Sequence, residues 1–136
     1  MKIVKTAQSG FARLYALLIN LIASMLTLTE TGGTLTTDGT LQVLFIHDAP
    51  AGVYSPQTLL IDFTNQFAGT TVEVGLYYRI KAGGNYRLSE MTVFAGVISP
   101  ELKIIALSEN RFGVMVTIEK TAGANADYDF EVFYKI

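Results

Sequence analysis

The amino-terminal segment holds a long apolar stretch without charge. No charged residue lies between Leu14 and Thr29, and Ser9 is a suitable N-cap just before this stretch. Asn20 and Ser24 are the polar interruptions on one side. A helix that is apolar nearly all round must be buried in protein or in lipid. The residues at helical spacing are Phe11, Leu14, Tyr15, Leu18, Leu21, Ile22 and Met25.

Threonine and glycine dominate the next stretch, from Thr27 to Thr40. Threonine favours strands and glycine interrupts them. This composition predicts a helix exit, then one or two short strands with a turn at Gly32-Gly33. The stretch could pair within its own chain or be donated to a neighbour as an added strand.

Beyond residue 40, apolar residues recur at every second position, which is the period of a half-buried strand. Leu41, Val43 and Phe45 alternate in the first strand. The third is the clearest, with alternation from Val72 to Ile80 and then a hairpin loop at residues 81–85. The predicted strands cover residues at about 40–47, 57–63, 72–81, 86–95, 102–107, 112–118 and 128–136.

The fold class that follows is mainly β. We expect an antiparallel β-sandwich or jelly-roll-like domain of about seven to eight strands, preceded by one hydrophobic N-terminal α-helix. The division predicted from the pattern is an assembly or anchor segment at residues 1–30 and a sandwich domain at residues 31–136.

The amino-acid composition excludes several kinds of catalytic and metal site. Half of the 136 residues are hydrophobic and 16% are charged, against about a quarter in an ordinary soluble domain. The absence of cysteine excludes disulfides, thiolate metal sites and cysteine nucleophiles, and the single histidine, His47, excludes multi-histidine metal sites. The net charge of −2 argues against a nucleic-acid partner. We expect no cofactor and no catalytic residues.

Two polar groups could still carry chemistry. His47-Asp48 is a histidine–carboxylate neighbour pair, but catalysis would need a converging nucleophile and orienting group. A turn in which Asp48 bonds loop backbone is favoured. Asp127, Asp129 and Glu131 share one face of the last strand and could form an oxygen-rich calcium site. A solvated strand face is the favoured interpretation.

A cluster of aromatic and cationic residues surrounds the hairpin loop after the third strand. Tyrosine and arginine are typical interface anchors and also stack on sugars. Ordinary cross-strand packing explains such a cluster equally well. The residues of this possible partner surface are Tyr77, Arg79, Tyr86 and Arg87.

Four interpretations of the N-terminal stretch remain open: a secretory signal, a transmembrane helix, a pilin-like segment and a self-association helix. Ser9-Gly10-Phe11 followed by an apolar helix resembles the processing site and core helix of type IV pilins, over residues 1–26. In the self-association interpretation, helices from several copies bury one another. The predicted assembly anchors are Phe11, Leu14, Leu18, Leu21, Ile22 and Met25.

Short motifs along the rest of the chain resemble a family of small β-sandwich virion proteins of phages and uncultured viruses. They include a Thr-Asp-Gly-Thr opening, a Leu-Tyr-Tyr-Arg central strand and a Thr-Ala-Gly turn before an aromatic last strand. The resemblance implies a capsid-associated or decoration protein in the virion. The matching segments are Thr34–Thr40, Ile61–Asn65, Val74–Ile80, Tyr86–Leu88, Lys120–Gly123 and Tyr128–Val132.

These observations lead to one expectation and one alternative. We expect a non-enzymatic structural subunit of a viral particle that assembles with itself, or with another coat protein, through its helix and sandwich surfaces. The alternative is a membrane- or pilus-anchored extracellular module that binds glycan or a protein through Tyr77, Arg79 and Tyr86. A membrane is a partner only in this alternative.

Overall fold

The computed structural model describes residues 10–18, 28–48 and 55–135. These ranges contain eight β-strands and, at residues 10–18, the described part of a helix, α1. The strands are β1 (Leu28–Thr36), β2 (Leu41–His47), β3 (Ser55–Asp62), β4 (Thr71–Tyr78), β5 (Arg87–Ala95), β6 (Leu102–Ala106), β7 (Val114–Ala122) and β8 (Asp127–Lys135).

The strands form two four-stranded antiparallel sheets. One has the order β1-β8-β3-β6 and the other the order β2-β7-β4-β5. Consecutive strands lie in opposite sheets except β4 and β5, which pair as a hairpin. This is the arrangement of an eight-stranded jelly roll. The predicted fold class, a mainly β sandwich with an N-terminal helix, is confirmed.

The core lies between the two sheets and consists of their inward-facing side chains. In β4 and β7 these are the β-branched and leucine residues that recur at every second position, as the alternation predicts. Each fully buried aliphatic side chain stabilises the fold by roughly 1.5–3 kcal/mol. The largest side chains without significant exposure are Tyr128, Phe63, Leu59, Ile61, Ile118, Val72, Val74, Val114, Val116 and Val132.

The predicted turn at Gly32-Gly33 is wrong. β1 continues through both glycines and pairs with β8 of its own chain, with Gly32 opposite Glu131 and Gly33 opposite Phe130. A Cβ atom at Gly32 would lie 2.7 Å from the carbonyl oxygen of Phe130. Gly32 therefore permits a close approach of two strands, a second role of glycine in β-structure.

Two strand boundaries also differ from the prediction. A register shift between Val43 and Phe45 breaks the alternation of β2, so that Val43 is half exposed and Phe45 is buried. β4 ends at Tyr78, and Ile80 lies beyond it with 92% of its surface exposed. The prediction that the alternation of this strand continues to Ile80 is therefore wrong.

A buried amide closes one end of the sandwich. The Gln66 side chain donates to the carbonyl oxygens of Phe94 (2.9 Å) and Gly96 (2.8 Å) and accepts from the Tyr128 hydroxyl (2.9 Å). These bonds join the β3–β4 connection to β5 and β8. Because a buried carbonyl without a partner costs about 1–3 kcal/mol, Gln66 stabilises this end through several groups at once.

The close approach at Gly32 predicts a contrast between two neighbouring substitutions. Gly32→Ala places a methyl group against the β8 backbone and should lower the free energy of unfolding by about 1–3 kcal/mol. Gly33→Ala is the matched control, because its Cβ would meet the Phe130 ring at 3.8 Å, an ordinary contact. Gly33→Ala should be neutral or slightly stabilising. Urea unfolding of both variants tests this, and equal losses of stability would contradict it.

Candidate assembly surfaces

The first candidate surface is α1. All nine of its described residues are exposed, including Leu14 at 67%, Leu17 at 68% and Leu18 at 52%. The predicted anchors Phe11, Leu14 and Leu18 are therefore accessible to another molecule. The other three predicted anchors, Leu21, Ile22 and Met25, lie outside the described residues.

Large apolar side chains of this kind are rarely left in contact with water as a continuous group. The helical turn brings Phe11, Leu14 and Leu18 to one side of α1, with Leu17 beside them. Tyr15, which is 60% exposed, extends this apolar surface further round the helix. Within the described ranges, no helix is both long enough and apolar enough to cross a membrane.

The second candidate surface is the outer face of the sheet β2-β7-β4-β5, which we call the apolar sheet face. Its side chains alternate with those of the core, so that Met91 and Val93 of β5 point away from the interior and are 40% and 55% exposed. The members of the apolar sheet face are Leu41, Val43, Ile46, Tyr77, Leu88, Met91, Val93 and Met115.

The centre of the apolar sheet face is a row of residues that runs across all four strands. Val43, Thr117, Gly75 and Met91 lie in register along it. A Cβ atom at Gly75 would lie 2.8 Å from the Tyr77 ring and 2.9 Å from the Thr117 hydroxyl. Since Gly75 has no side chain, the Tyr77 ring and the Thr117 side chain pack over its backbone. Thr117 is buried there, and its hydroxyl has no hydrogen-bond partner among the described residues.

Two carboxylates lie beside this apolar row. Glu73 of β4 is directly opposite Glu119 of β7, with Val93 next to Glu73 and Leu41 next to Glu119. Both glutamates are half-buried, and in the described part of the chain neither belongs to an ion pair. Like charges directly opposite each other in a sheet are destabilising. The apolar sheet face therefore has a negative edge.

The apolar sheet face is not among the surfaces predicted from the sequence. The sequence of β5 nevertheless indicates this face, because Met91 and Val93 lie on one side of the strand and Phe94 lies on the other. A strand with apolar residues at both parities has a second apolar face in addition to the core face. The same holds in β2, where the bulge turns Val43 and Ile46 outward while Leu44 and Phe45 are buried.

The structure separates the four residues predicted as a partner surface. Tyr77 belongs to the apolar sheet face, and Arg87 is exposed at the start of β5. Arg79 and Tyr86, in contrast, contact each other and Asp48. A role for these four residues in partner binding stays a prediction.

We call the group formed by Arg79, Asp48 and Tyr86 the end clasp. The Arg79 side chain is 9% exposed, forms an ion pair with Asp48 (2.5 Å) and donates through Nε to the carbonyl oxygen of Phe112 (2.5 Å). Its guanidinium lies 5.1 Å from the centre of the Tyr86 ring. The Tyr86 hydroxyl donates to Asp48 (2.9 Å), and burial raises the pKa of Tyr86 to about 12. The end clasp thus joins three connections at the end of the sandwich opposite Gln66.

The His47-Asp48 pair has two separate roles here. The Asp48 carboxylate belongs to the end clasp. The loop that follows it lies outside the described residues, so the expected bond from Asp48 to loop backbone stays a prediction. The His47 ring packs edge-on against Tyr134 of the other sheet, with 5.1 Å between ring centres. Burial lowers the pKa of His47, so the neutral ring is favoured between the two sheets.

The acidic residues of β8 face outward beside β1. Thr36 donates to Asp127 and Thr34 donates to Asp129, which ties the two strands together through their side chains. Glu131 shares a hydrogen bond with Glu30, and this raises the pKa of Glu131. In the residues that the structure describes, no group of three or more histidine, cysteine or acidic side chains is arranged to hold a metal ion. The arrangement is that of a solvated strand face.

Comparison with known proteins shows similarity in fold. No family model and no curated protein matches the chain. VP2 of infectious bursal disease virus, solved as a subviral particle, has a TM-score of 0.50 and 11% identity, over 82% of this chain and 33% of that chain. PirA has a TM-score of 0.46 and 13% identity, over 79% of this chain and 93% of that chain.

The chain therefore spans about one third of the length of VP2. At 11% identity the likeness to VP2 shows the fold alone. The β-sandwich described above is a fold that a viral capsid protein also has, and fold by itself does not determine function.

The end clasp predicts different effects for two arginines. Arg79→Ala removes the ion pair, the bond to Phe112 and the contact with Tyr86, and should lower the free energy of unfolding by about 2–4 kcal/mol. Arg87→Ala removes an exposed arginine from the same predicted surface and should change it by less than about 0.5 kcal/mol. Urea unfolding distinguishes them. Similar small effects for both variants would show that Arg79 does not hold the end of the sandwich together.

Proposed function

We propose that the chain is a non-enzymatic structural subunit of a viral particle, as a capsid-associated or decoration protein. In this proposal it assembles with itself, or with another coat protein, through α1 and the sandwich surfaces, and it is located in the virion. The observation that carries the proposal is the exposure of every large apolar side chain at residues 10–18 of α1.

The energetic argument concerns what must cover α1. Burying one leucine or phenylalanine side chain is worth roughly 1.5–3 kcal/mol. Phe11, Leu14, Leu17 and Leu18 are all more than half exposed. The free energy gained by burying these four side chains against another molecule offsets a large part of the entropy lost on association. In a symmetric assembly each copy covers the exposed apolar groups of another.

The viral part of the proposal has separate support. Jelly rolls of eight strands in two sheets are frequent among viral capsid domains. VP2, a protein solved in a subviral particle, has a similar fold over 82% of the residues of the present chain. The short motifs that resemble virion proteins point the same way. Lectin domains also use this fold, so the fold supports the proposal without deciding it.

The alternative, an anchored glycan-binding module, receives less support from the geometry. Two of its three predicted binding residues, Arg79 and Tyr86, belong to the end clasp and bond to Asp48. Sugar stacking needs an accessible aromatic face with polar groups beside it. Tyr77 instead lies among apolar side chains on the apolar sheet face.

The proposal predicts that charge on α1 prevents assembly while the sandwich still folds. Leu14→Asp combined with Leu18→Asp places two carboxylates on one side of the helix. The variant should elute as a monomer of 14.8 kDa in light scattering after size exclusion. Its strand signal in circular dichroism and its urea midpoint should match the original chain, since α1 lies outside the core.

The control adds the same charge at a different place. Ala124→Asp combined with Asn125→Asp changes two exposed residues of the β7–β8 turn and should assemble as the original chain does. If the α1 variant also keeps the original assembled mass, the helix is not an assembly element. If the original chain is soluble only with detergent, the anchored module replaces the proposal.

A further inference from the structure

We infer that α1 of one copy docks on the apolar sheet face of a second copy, with Arg13 beside Glu73 and Glu119. This inference rests on the proposed function, because it identifies the surface that receives the assembly helix. It concerns two surfaces of the same chain that have no cover within one copy.

The first step is that neither surface covers the other in its own chain. Leu14 and Leu18 of α1 are 67% and 52% exposed. Val43 and Met91, at the two ends of the central row of the apolar sheet face, are 50% and 40% exposed. If α1 lay on its own sheet, both sets of side chains would be buried. The occupant that the chain itself offers is therefore the helix of another copy.

The second step is the match in size. The described part of α1, residues 10–18, is about 14 Å long at 1.5 Å per residue. Four strands spaced about 4.8 Å apart extend about 14 Å from the first to the last. A helix laid across the strands therefore spans the row from Val43 on β2 to Met91 on β5.

The third step is the match in charge. Arg13 is the single charged residue in the described part of α1, and it lies at the border of the apolar stripe formed by Phe11, Leu14, Leu17 and Leu18. Glu73 and Glu119 lie one row away from Val43 and Met91 and face each other across β4 and β7. A helix on the central row can place its leucines on the apolar residues while the Arg13 side chain extends to these two carboxylates. A cation there relieves the repulsion between the two glutamates.

The geometry of this contact has a consequence for the assembly. The helix and the face are different surfaces, so each copy gives one contact and receives another. Such a heterologous contact generates a ring or shell if the rotation closes, and a filament if it does not. When two copies exchange helices with each other, the same contact closes as a dimer.

The test uses two complementary variants of the full chain. The helix variant carries Leu14→Asp and Leu18→Asp and keeps the apolar sheet face. The face variant carries Val43→Asp and Met91→Asp and keeps α1. Each alone should be monomeric in light scattering. An equimolar mixture should form a one-to-one complex of twice the 14.8 kDa mass, because one intact helix meets one intact face.

A charge exchange gives a second measurement that does not depend on changing the apolar residues. Arg13→Glu should raise the dissociation constant of the assembly by roughly tenfold, and Glu119→Lys should raise it similarly. The two changes combined in one chain should restore the affinity to within about threefold. Circular dichroism of each variant confirms that the sandwich is folded.

The outcomes separate the inference from the proposed function. If the face variant assembles as the original chain does while the helix variant is monomeric, the helix docks elsewhere, and the inference is overturned while the function stands. If both variants keep the original assembled mass, the inference and the proposed function are both overturned. A mixture without the one-to-one complex, or a charge exchange without rescue, also overturns the inference.

Discussion

The space between the two sheets is filled by side chains of the strands themselves, and the rest of the account depends on this. Val72, Ile118 and Tyr128 have no exposed surface, and the cluster to which they belong contains residues of both sheets. Protein interiors are packed to the density of organic crystals, so such a core has no volume for further large side chains. The apolar residues of α1 therefore lie outside it. Because these apolar side chains of α1 lie outside a complete core, only contact with another molecule can remove them from water.

The two ends of the sandwich are closed by polar groups, and this assigns different tasks to different surfaces. At one end, Gln66 bonds the carbonyl oxygens of Phe94 and Gly96 and the hydroxyl of Tyr128. At the other end, the end clasp holds the loops with an ion pair and bonds to backbone. Both groups use most of their hydrogen-bonding capacity within the chain, which suits a structural role. Large exposed apolar side chains lie on α1 and on the outer face of the sheet β2-β7-β4-β5, and others lie on β6 and in the loops, among them Ile104 and Val97.

Much of the fold follows from alternation along the chain, and the exceptions have physical reasons. The period of two in β4 and β7 is clear because each has one face in the core. The prediction at Gly32 was wrong because glycine occurs both in turns and where two strands approach closely, and the sequence does not distinguish these two roles. The bulge in β2 and the inward position of Arg79 depend on partners distant in sequence, namely β7, Asp48 and Phe112. The apolar sheet face has a local signal in β5, but the position of its central row depends on the register between four strands, which no local pattern contains. The apolar character of α1 was predictable because leucine and phenylalanine at helical spacing are visible in the sequence without any knowledge of partners.

The most direct test of the account is the mass of the full-length chain in solution without detergent. Light scattering after size exclusion, with negative-stain images of the peak, gives both the number of copies and the shape. The account predicts a discrete oligomer, a shell or a filament. A detergent-free monomer that stays at 14.8 kDa at high concentration would contradict it, because the apolar side chains of α1 would then need no cover from another copy.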